Sequence, residues 1–372
     1  KCNLPLECAN YKRCKHERYC TLNCIDYVPF KCTRRDKSPG ACNGCGNYRS
    51  CRYDKYRYSA LDAQNDYKAT LTSSRKGINA TVNDIKQLGE LLLPLLKKGQ
   101  SIYSILQSHK EIKLSEKTIY NYIENGVFQD VGVSITAIDL KRVIRRKMSK
   151  QKRHAYKPRK DSRYLIGRKY SDFLIYMEKN PDAKVVEMDT VYNDMSNGPF
   201  LQTFKFIQYD LLICIYQTVK DSIHMLDGIL LLEEILGKQM FEKEVEVILT
   251  DRGSEFVLAE EAERREDGTR RTRMFYCDSM ASWQKGSLEN VHLLVREICP
   301  KGCDLHALGL TSQEKANLIS IHINSYPKEK LHGKSSIQLL HFYNEEMAKR
   351  LHDFGITEIP PDEVILKPYL LK

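Results

Sequence analysis

The sequence predicts a multidomain α/β protein, and three observations carry that expectation: a cysteine-dense head, a stretch of helical period, and a later run of apolar strands interrupted by helices. The chain has 372 residues, enough for two or three domains and a sizeable core. The expected segments are a cysteine-rich module at 1–60, a helical domain at 61–133, a basic linker at 134–170, a strand-and-helix core at 171–345 and a C-terminal tail at 346–372. With 42% hydrophobic and 29% charged residues, the composition excludes collagen-like, low-complexity and wholly disordered chains. No apolar run reaches the roughly 18 residues that a membrane span needs. The chain starts at Lys1 rather than Met and shows no apolar signal segment, so the expectation is a soluble, cytoplasmic protein.

Nine of the 13 cysteines fall in the first 51 residues. In a reducing compartment such density points to metal rather than disulfides, and Cys42-x-x-Cys45 before Gly46 has the tight turn of a zinc knuckle. The economical reading is two four-ligand Zn2+ sites. One draws on Cys8, Cys14, Cys20 and Cys24, the other on Cys32, Cys42, Cys45 and Cys51, with Cys2 and His16 as alternates. The segment has too few apolar residues to fold alone, so metal would supply much of its folding energy.

Between Val82 and Gly126 the period turns helical. Leu88, Leu91, Leu92, Leu95 and Leu96 recur at steps of three and four; Ser101 opens a second short helix, and Ser115 caps a third that stops at Gly126. Helix, short turn, then a helix with Ile119, Tyr122 and Ile123 inward is the layout of a helix-turn-helix. Lys117, Tyr120 and Asn121 would then face base edges or phosphates. An ordinary three-helix interaction domain is the competing reading.

Charge is sorted by position. Residues 134–170 hold 14 Lys and Arg against two Asp, a net +12 set beside +11 for the whole chain. This run, which includes Arg145 and Arg146, suits a polyanion such as DNA, and a solvated linker is its plainer explanation. With the first 60 residues also basic, the remainder is net acidic.

The core comes next. Residues 184–191 read as a buried strand through Asp189; strands follow at 200–207 and 211–218, then a helix at 222–236. A short strand at 245–250 ends at Asp251. Another strand at 274–277 leads to a helix at 288–298 that carries Glu289. Three strands, a helix, two more strands and a helix is the element order of an RNase H-like core. Carboxylates from three elements meeting at one point suit a pair of Mg2+ (or Mn2+) ions for phosphoryl transfer, one activating the attacking oxygen and one steadying the leaving oxygen.

The motifs Glu187-Met-Asp189-Thr, Leu249-Thr-Asp251-Arg-Gly-Ser-Glu-Phe256 and Ser282-Trp-Gln-Lys-Gly-Ser-Leu-Glu289-Asn resemble those of the transposases of insertion-sequence family thirty, within the DDE (integrase-like) superfamily. So do Ser115-x-x-Thr-Ile-Tyr-x-Tyr-Ile123 and the later Ile323-Asn-Ser-Tyr-Pro-Lys. The resemblance implies that Asp189, Asp251 and Glu289 are the catalytic, metal-holding triad, and that Arg296, seven residues past Glu289, is the superfamily's basic residue. It further implies a bacterial protein that binds the terminal inverted repeats of its element as a dimer or larger assembly. Such an enzyme frees a 3′-hydroxyl by hydrolysis and joins it to target DNA. The chain departs from the family in three places: Arg252 stands where Asn is usual, residues 264–273 lengthen the gap from Asp251 to Glu289, and Tyr326-Pro-Lys328 replaces Arg-Pro-Arg. A sequence-specific DNA-binding protein with a catalytically decayed core is the alternative that Arg252 favours.

Overall fold

The computed structural model describes residues 32–37, 40–51, 53–74, 78, 80–141, 163–193, 198–279 and 281–372. The expected ligands Cys8, Cys14, Cys20 and Cys24, their alternates Cys2 and His16, and the linker residues Arg145 and Arg146 lie outside these. The chain divides into two units, residues 1–80 and 81–372.

Among its described residues, the first unit has a turn-rich cysteine segment and the helix α1 (Ala60–Ser74). Gly44, at φ +68°, permits the tight turn between Cys42 and Cys45, whose amide donates to the Cys42 carbonyl at 3.1 Å. Asn43 fixes the following segment by exchanging hydrogen bonds with the backbone of Tyr58 at 2.9 and 2.6 Å.

The second unit opens with α2 (Val82–Lys97), α3 (Ile102–Ser108) and α4 (Glu116–Glu124), followed by the single turn α5 (Val127–Asp130). Each of the first three starts where the sequence supplies a side-chain acceptor: Thr81, Ser101 and Ser115 accept from the third amide of their helices. Ile85, Leu92, Leu96, Ile102, Ile105, Ile119, Ile123 and Phe128 close around one another as a small core. Gly89 lets α2 approach it, since a Cβ there would sit 3.0 Å from Phe128 and Val133.

The larger part runs α6 (Tyr170–Lys179), β1 (Val185–Val191), β2 (Phe200–Phe206), β3 (Leu211–Gln217), α7 (Ser222–Leu236), α8 (Lys238–Glu244) and β4 (Val247–Thr250). It continues with α9 (Ala259–Glu263), β5 (Arg273–Tyr276), α10 (Gly286–Ile298), α11 (Gln313–Ser325), α12 (Ser336–Tyr343) and α13 (Glu345–Asp353). The five strands form one mixed sheet in the order β3-β2-β1-β4-β5. β2 runs antiparallel to both β1 and β3, whereas β4 lies parallel to β1 and β5 parallel to β4. A mixed α/β sheet with this order and these directions fits the RNase H-like core expected from the element sequence.

Strand alternation decides what each face carries. Val186 and Met188 of β1, with Ile248 and Met274, pack against Met225, Ile229, Leu232 and Leu236 of α7. On the opposite face two apolar clusters lie side by side. Val191, Leu201, Leu212 and Cys214 meet α10 and α11; Val185, Val247, Leu249 and Phe275 meet α6 through Tyr170, Phe173 and Tyr176. The seam between these clusters is where β1 presents Glu187 and Asp189.

Candidate active site

Asp189 sits in β1 and Asp251 directly after β4. The two strands pair in parallel with Val185 opposite Val247 and Glu187 opposite Leu249, and the same offset sets Asp251 opposite Asp189. Neighbouring strands lie about 4.8 Å apart, and residues at matching positions of parallel strands leave the sheet on the same side. The two carboxylates are therefore neighbours on the face crossed by α10. They feel one another: burial first, then the charge of Asp189 and of Glu255, raises the Asp251 carboxyl above the ordinary carboxylate range, while Lys285 opposes the rise.

Local backbone groups fix both side chains. Asp189 Oδ1 accepts from the Thr190 amide at 2.8 Å, and Asp251 Oδ1 from the Gly253 amide at 3.0 Å. The second Asp189 oxygen, Oδ2, receives the Lys285 ammonium at 3.0 Å. Burial would lower that ammonium's affinity for its proton, yet Asp189 and Asp251 outweigh burial and raise it, so Lys285 is charged.

Glu289 lies in the first turn of α10, exposed to solvent. Among the described residues, no three His, Cys, Asp or Glu side chains are gathered closely enough to hold a metal ion. This applies both to Asp189, Asp251 and Glu289, where Lys285 is drawn onto Asp189, and to the cysteines. Cys32, Cys42, Cys45 and Cys51 are half-buried and line one cavity together with Arg35 and Tyr48.

One turn beyond Glu289, His292 reaches back to the sheet. Its Nε2 lies 2.9 Å from Thr203 Oγ1, which itself donates to the Asp189 carbonyl at 3.0 Å. With the threonine proton spent on that carbonyl, the imidazole is the donor, so Nε2 carries its hydrogen. Burial holds this histidine at about 4, neutral at ordinary pH. Two turns beyond Glu289, Arg296 donates to Asn193 Oδ1 at 2.6 Å and to the Tyr192 carbonyl at 3.1 Å, pinning the segment that follows β1 against α10.

Arg252, next to Asp251, is engaged by Asp278 at 2.7 Å, which neutralises the charge that the sequence sets beside the site. In α4, Lys117 and Asn121 are exposed and Tyr120 is half-buried, while Ile119 and Ile123 are buried as their spacing predicts. Residues 264–273, the lengthened segment, are held by Glu233 of α7, whose two carboxylate oxygens each accept at 2.6 Å, one from Arg265 and one from Arg271. Tyr326 and Lys328, at the position of the family's arginines, both point inward. Tyr326 donates to Ser101 Oγ at 2.9 Å and Lys328 to Asp210 Oδ2 at 2.8 Å.

Glu187 and Lys285 went unassigned in the sequence although both stand inside the quoted motifs. The available signal was spacing: Glu187 is two residues before Asp189 and so shares its strand face, and Lys285 is four before Glu289, one helical turn.

Sheet, register and crossing helix thus define a mixed α/β protein with a carboxylate pair on two adjacent parallel strands, Asp189 within β1 and Asp251 just after β4. No family model matches the chain. It is 37% identical over 68 residues to the transposase for insertion sequence element IS1086 of Cupriavidus metallidurans. That match takes in 18% of this chain and 19% of the relative, so the chain spans about a fifth of the relative's length in it. Among solved structures it is similar to the HTLV-2 integrase catalytic core domain in complex with magnesium. The trimeric form aligns with TM-score 0.30 at 15% identity and the dimeric form with 0.27 at 16%; each covers 42% of this chain and 94% of the domain. No helix among the described residues is long and apolar enough to cross a membrane.

Proposed function

We propose that the chain is a DDE transposase of insertion-sequence family thirty, which binds the inverted-repeat ends of its element and catalyses metal-dependent DNA strand cleavage and strand transfer. The register match of Asp189 with Asp251, on the face crossed by the helix of Glu289, carries this reading. The 68-residue likeness to an insertion-sequence transposase supports it. Its partners are double-stranded DNA, as element ends and as target, and further copies of itself in a synaptic assembly. It works in the bacterial cytoplasm, on the nucleoid.

The carboxylate pair suits a hard divalent cation: its oxygens share one sheet face, and they already draw a cation, the Lys285 ammonium, at 3.0 Å. Asp189, Asp251 and Glu289 would hold Mg2+ or Mn2+, which supplies Lewis acidity for activating an attacking oxygen and stabilising a leaving one. The protein's own part is positioning. The Thr190 and Gly253 amides orient the two aspartates, and the chain from His292 through Thr203 holds the backbone of Asp189. Arg296 keeps the segment after β1 against α10. Lys117, Tyr120 and Asn121 of α4, with Arg145 and Arg146 of the basic linker, would grip the element end. The head would bind Zn2+ through Cys8, Cys14, Cys20 and Cys24 and through Cys32, Cys42, Cys45 and Cys51.

The second reading is a sequence-specific DNA-binding protein whose core no longer cuts; the exposed Glu289 and the ammonium on Asp189 favour it. A nicking assay separates the two, run with Mg2+ on duplexes taken from the DNA flanking the gene. A transposase nicks at the element end, and Asp189→Ala, Asp251→Ala or Glu289→Ala each abolish nicking while leaving binding intact. Binding without nicking by the unaltered protein establishes the second reading.

A further inference from the structure

Lys285 closes the 3-10 turn Ser282–Lys285 that leads into α10, and it is 4% exposed. Trp283, two residues earlier, is 73% exposed, so the turn presents one side to solvent and drives the other into the sheet. Gln284 anchors it. Its side-chain amide donates to Asp278 Oδ2 at 3.0 Å, and its carbonyl accepts from the Asp278 amide at 2.6 Å. With the turn clamped, the Lys285 stem reaches Asp189 Oδ2 at 3.0 Å and the Met188 carbonyl at 3.4 Å, and its charge acts on Asp251 as well.

Two carboxylates on adjacent strands repel each other, and the repulsion is large where water is scarce. One buried ammonium between them cancels half of their charge. Arg252 does not serve this purpose, being paired with Asp278. A divalent ion binding Asp189 would lie roughly 2.1 Å from a carboxylate oxygen. On an oxygen that already holds an ammonium, the two cations would stand within a few ångströms of one another, and their repulsion opposes holding both.

We propose that Lys285 is the resident counter-ion of the Asp189–Asp251 pair, holding the two carboxylates together without metal and leaving them when a divalent ion binds. The inference rests on the reading of Asp189 and Asp251 as metal ligands and adds a determinant of affinity. Metal binding is an exchange of cations, and its strength depends on how readily the ammonium leaves. Lys285 is in this role a positioning residue, acting through the aspartates.

Calorimetric titration of the full chain with Mn2+ tests this, alongside the melting temperature without metal. Lys285→Met keeps the stem and removes the charge. It should bind Mn2+ at least about tenfold more tightly than the unaltered protein and melt at a lower temperature without metal, with Mn2+ restoring the difference. Lys285→Arg, which keeps the charge and grips a carboxylate through two N–H groups, should bind Mn2+ more weakly than the unaltered protein. This second variant also decides the question if Lys285→Met fails to fold. If Mn2+ binding is lost in Asp251→Asn, yet Lys285→Met is no tighter or Lys285→Arg no weaker than the unaltered chain, the counter-ion is overturned and the metal site stands. If neither Asp189→Asn nor Asp251→Asn changes Mn2+ binding, the metal-ligand reading itself falls, and the counter-ion with it.

Discussion

The Glu187 carboxylate accepts the backbone amide of Leu288, so the strand that carries Asp189 is tied to the first turn of the helix that carries Glu289. Helix starts leave amides without partners, and here the acceptor comes from across the sheet rather than from the helix's own cap. Glu187 is buried, and burial raises its carboxyl above the ordinary range, against the Leu288 amide and the Lys285 charge that lower it. Replacing Glu187 by Ala removes the acceptor and should cost about 1–3 kcal/mol of stability, measurable by denaturant unfolding. Nicking should fall too, with Glu187→Gln, which keeps an acceptor oxygen, recovering part of both. Unchanged stability in Glu187→Ala would show that the tie contributes nothing.

Asp210 faces three lysines. Lys205 and Lys328 are buried against it, and Lys330 approaches from the surface at 2.5 Å. Burial alone would raise its carboxyl, but Lys328 and Lys205 outweigh burial and hold it at about 2. A carboxyl depressed by folding adds stability above its unfolded value near 4 and loses that contribution as pH falls toward 2. Asp210 also has φ +51°, a conformation that Asn tolerates. Asp210→Asn therefore isolates the charge. It should destabilise by about 3–5 kcal/mol at neutral pH by leaving buried ammonium groups uncompensated, and the deficit should shrink on acidification below pH 4.

His322 of α11 accepts the Ile365 amide at Nδ1, 2.9 Å away, and burial holds it at about 4. Its folded value lies below the unfolded value near 6.5, so its neutral form is favoured by folding. The associated stability is complete above about pH 6.5 and is lost as pH falls from there toward 4. The melting temperature should decline over that window, and His322→Asn should make the decline shallower. An identical slope in the variant would remove His322 from the account.

For the head, the proposed zinc stoichiometry is two per chain. Mass spectrometry of the purified protein should find both ions, and Cys42→Ser with Cys45→Ser should leave one. Chelation should unfold residues 1–60 while sparing the melting transition of the remainder. A metal content unaffected by the double substitution would exclude the Cys32, Cys42, Cys45 and Cys51 set.

Periodicity made most of the sheet unit legible. The helix expected at 222–236 is observed with those bounds, because Asp221 supplies its cap and Gly237, at φ +73°, ends it. The strand expected from 245 begins instead at Val247. The residues before it form α8, a seven-residue helix that Gly237 separates from α7 and that has too few turns to announce a period. Register was legible only in retrospect: the order of elements suggested that Asp189 and Asp251 converge, whereas the pairing of β1 with β4 makes them neighbours. Contacts distant in sequence stayed hidden. Nothing near Arg252 announced Asp278 as its partner, and nothing near Tyr326 or Lys328 announced Ser101 or Asp210.

Ser101 caps α3 and also accepts a hydrogen bond from the Tyr326 hydroxyl, while the neighbouring Gln100 side chain donates to the carbonyls of Pro361 and Val364, and the Leu366 amide donates to the Lys98 carbonyl. The turn between α2 and α3 is thus stitched to the last residues of the chain. The stitching limits exchangeability. The three helices look like a cassette that a recombination event within 134–170 would replace cleanly. A newcomer carrying other residues at 98–101 would leave the carbonyls of Pro361 and Val364 without donors and the Tyr326 hydroxyl without its acceptor. Grafts that succeed would have to bring 361–366 with them, so this architecture inherits its three-helix segment and residues 361–366 together.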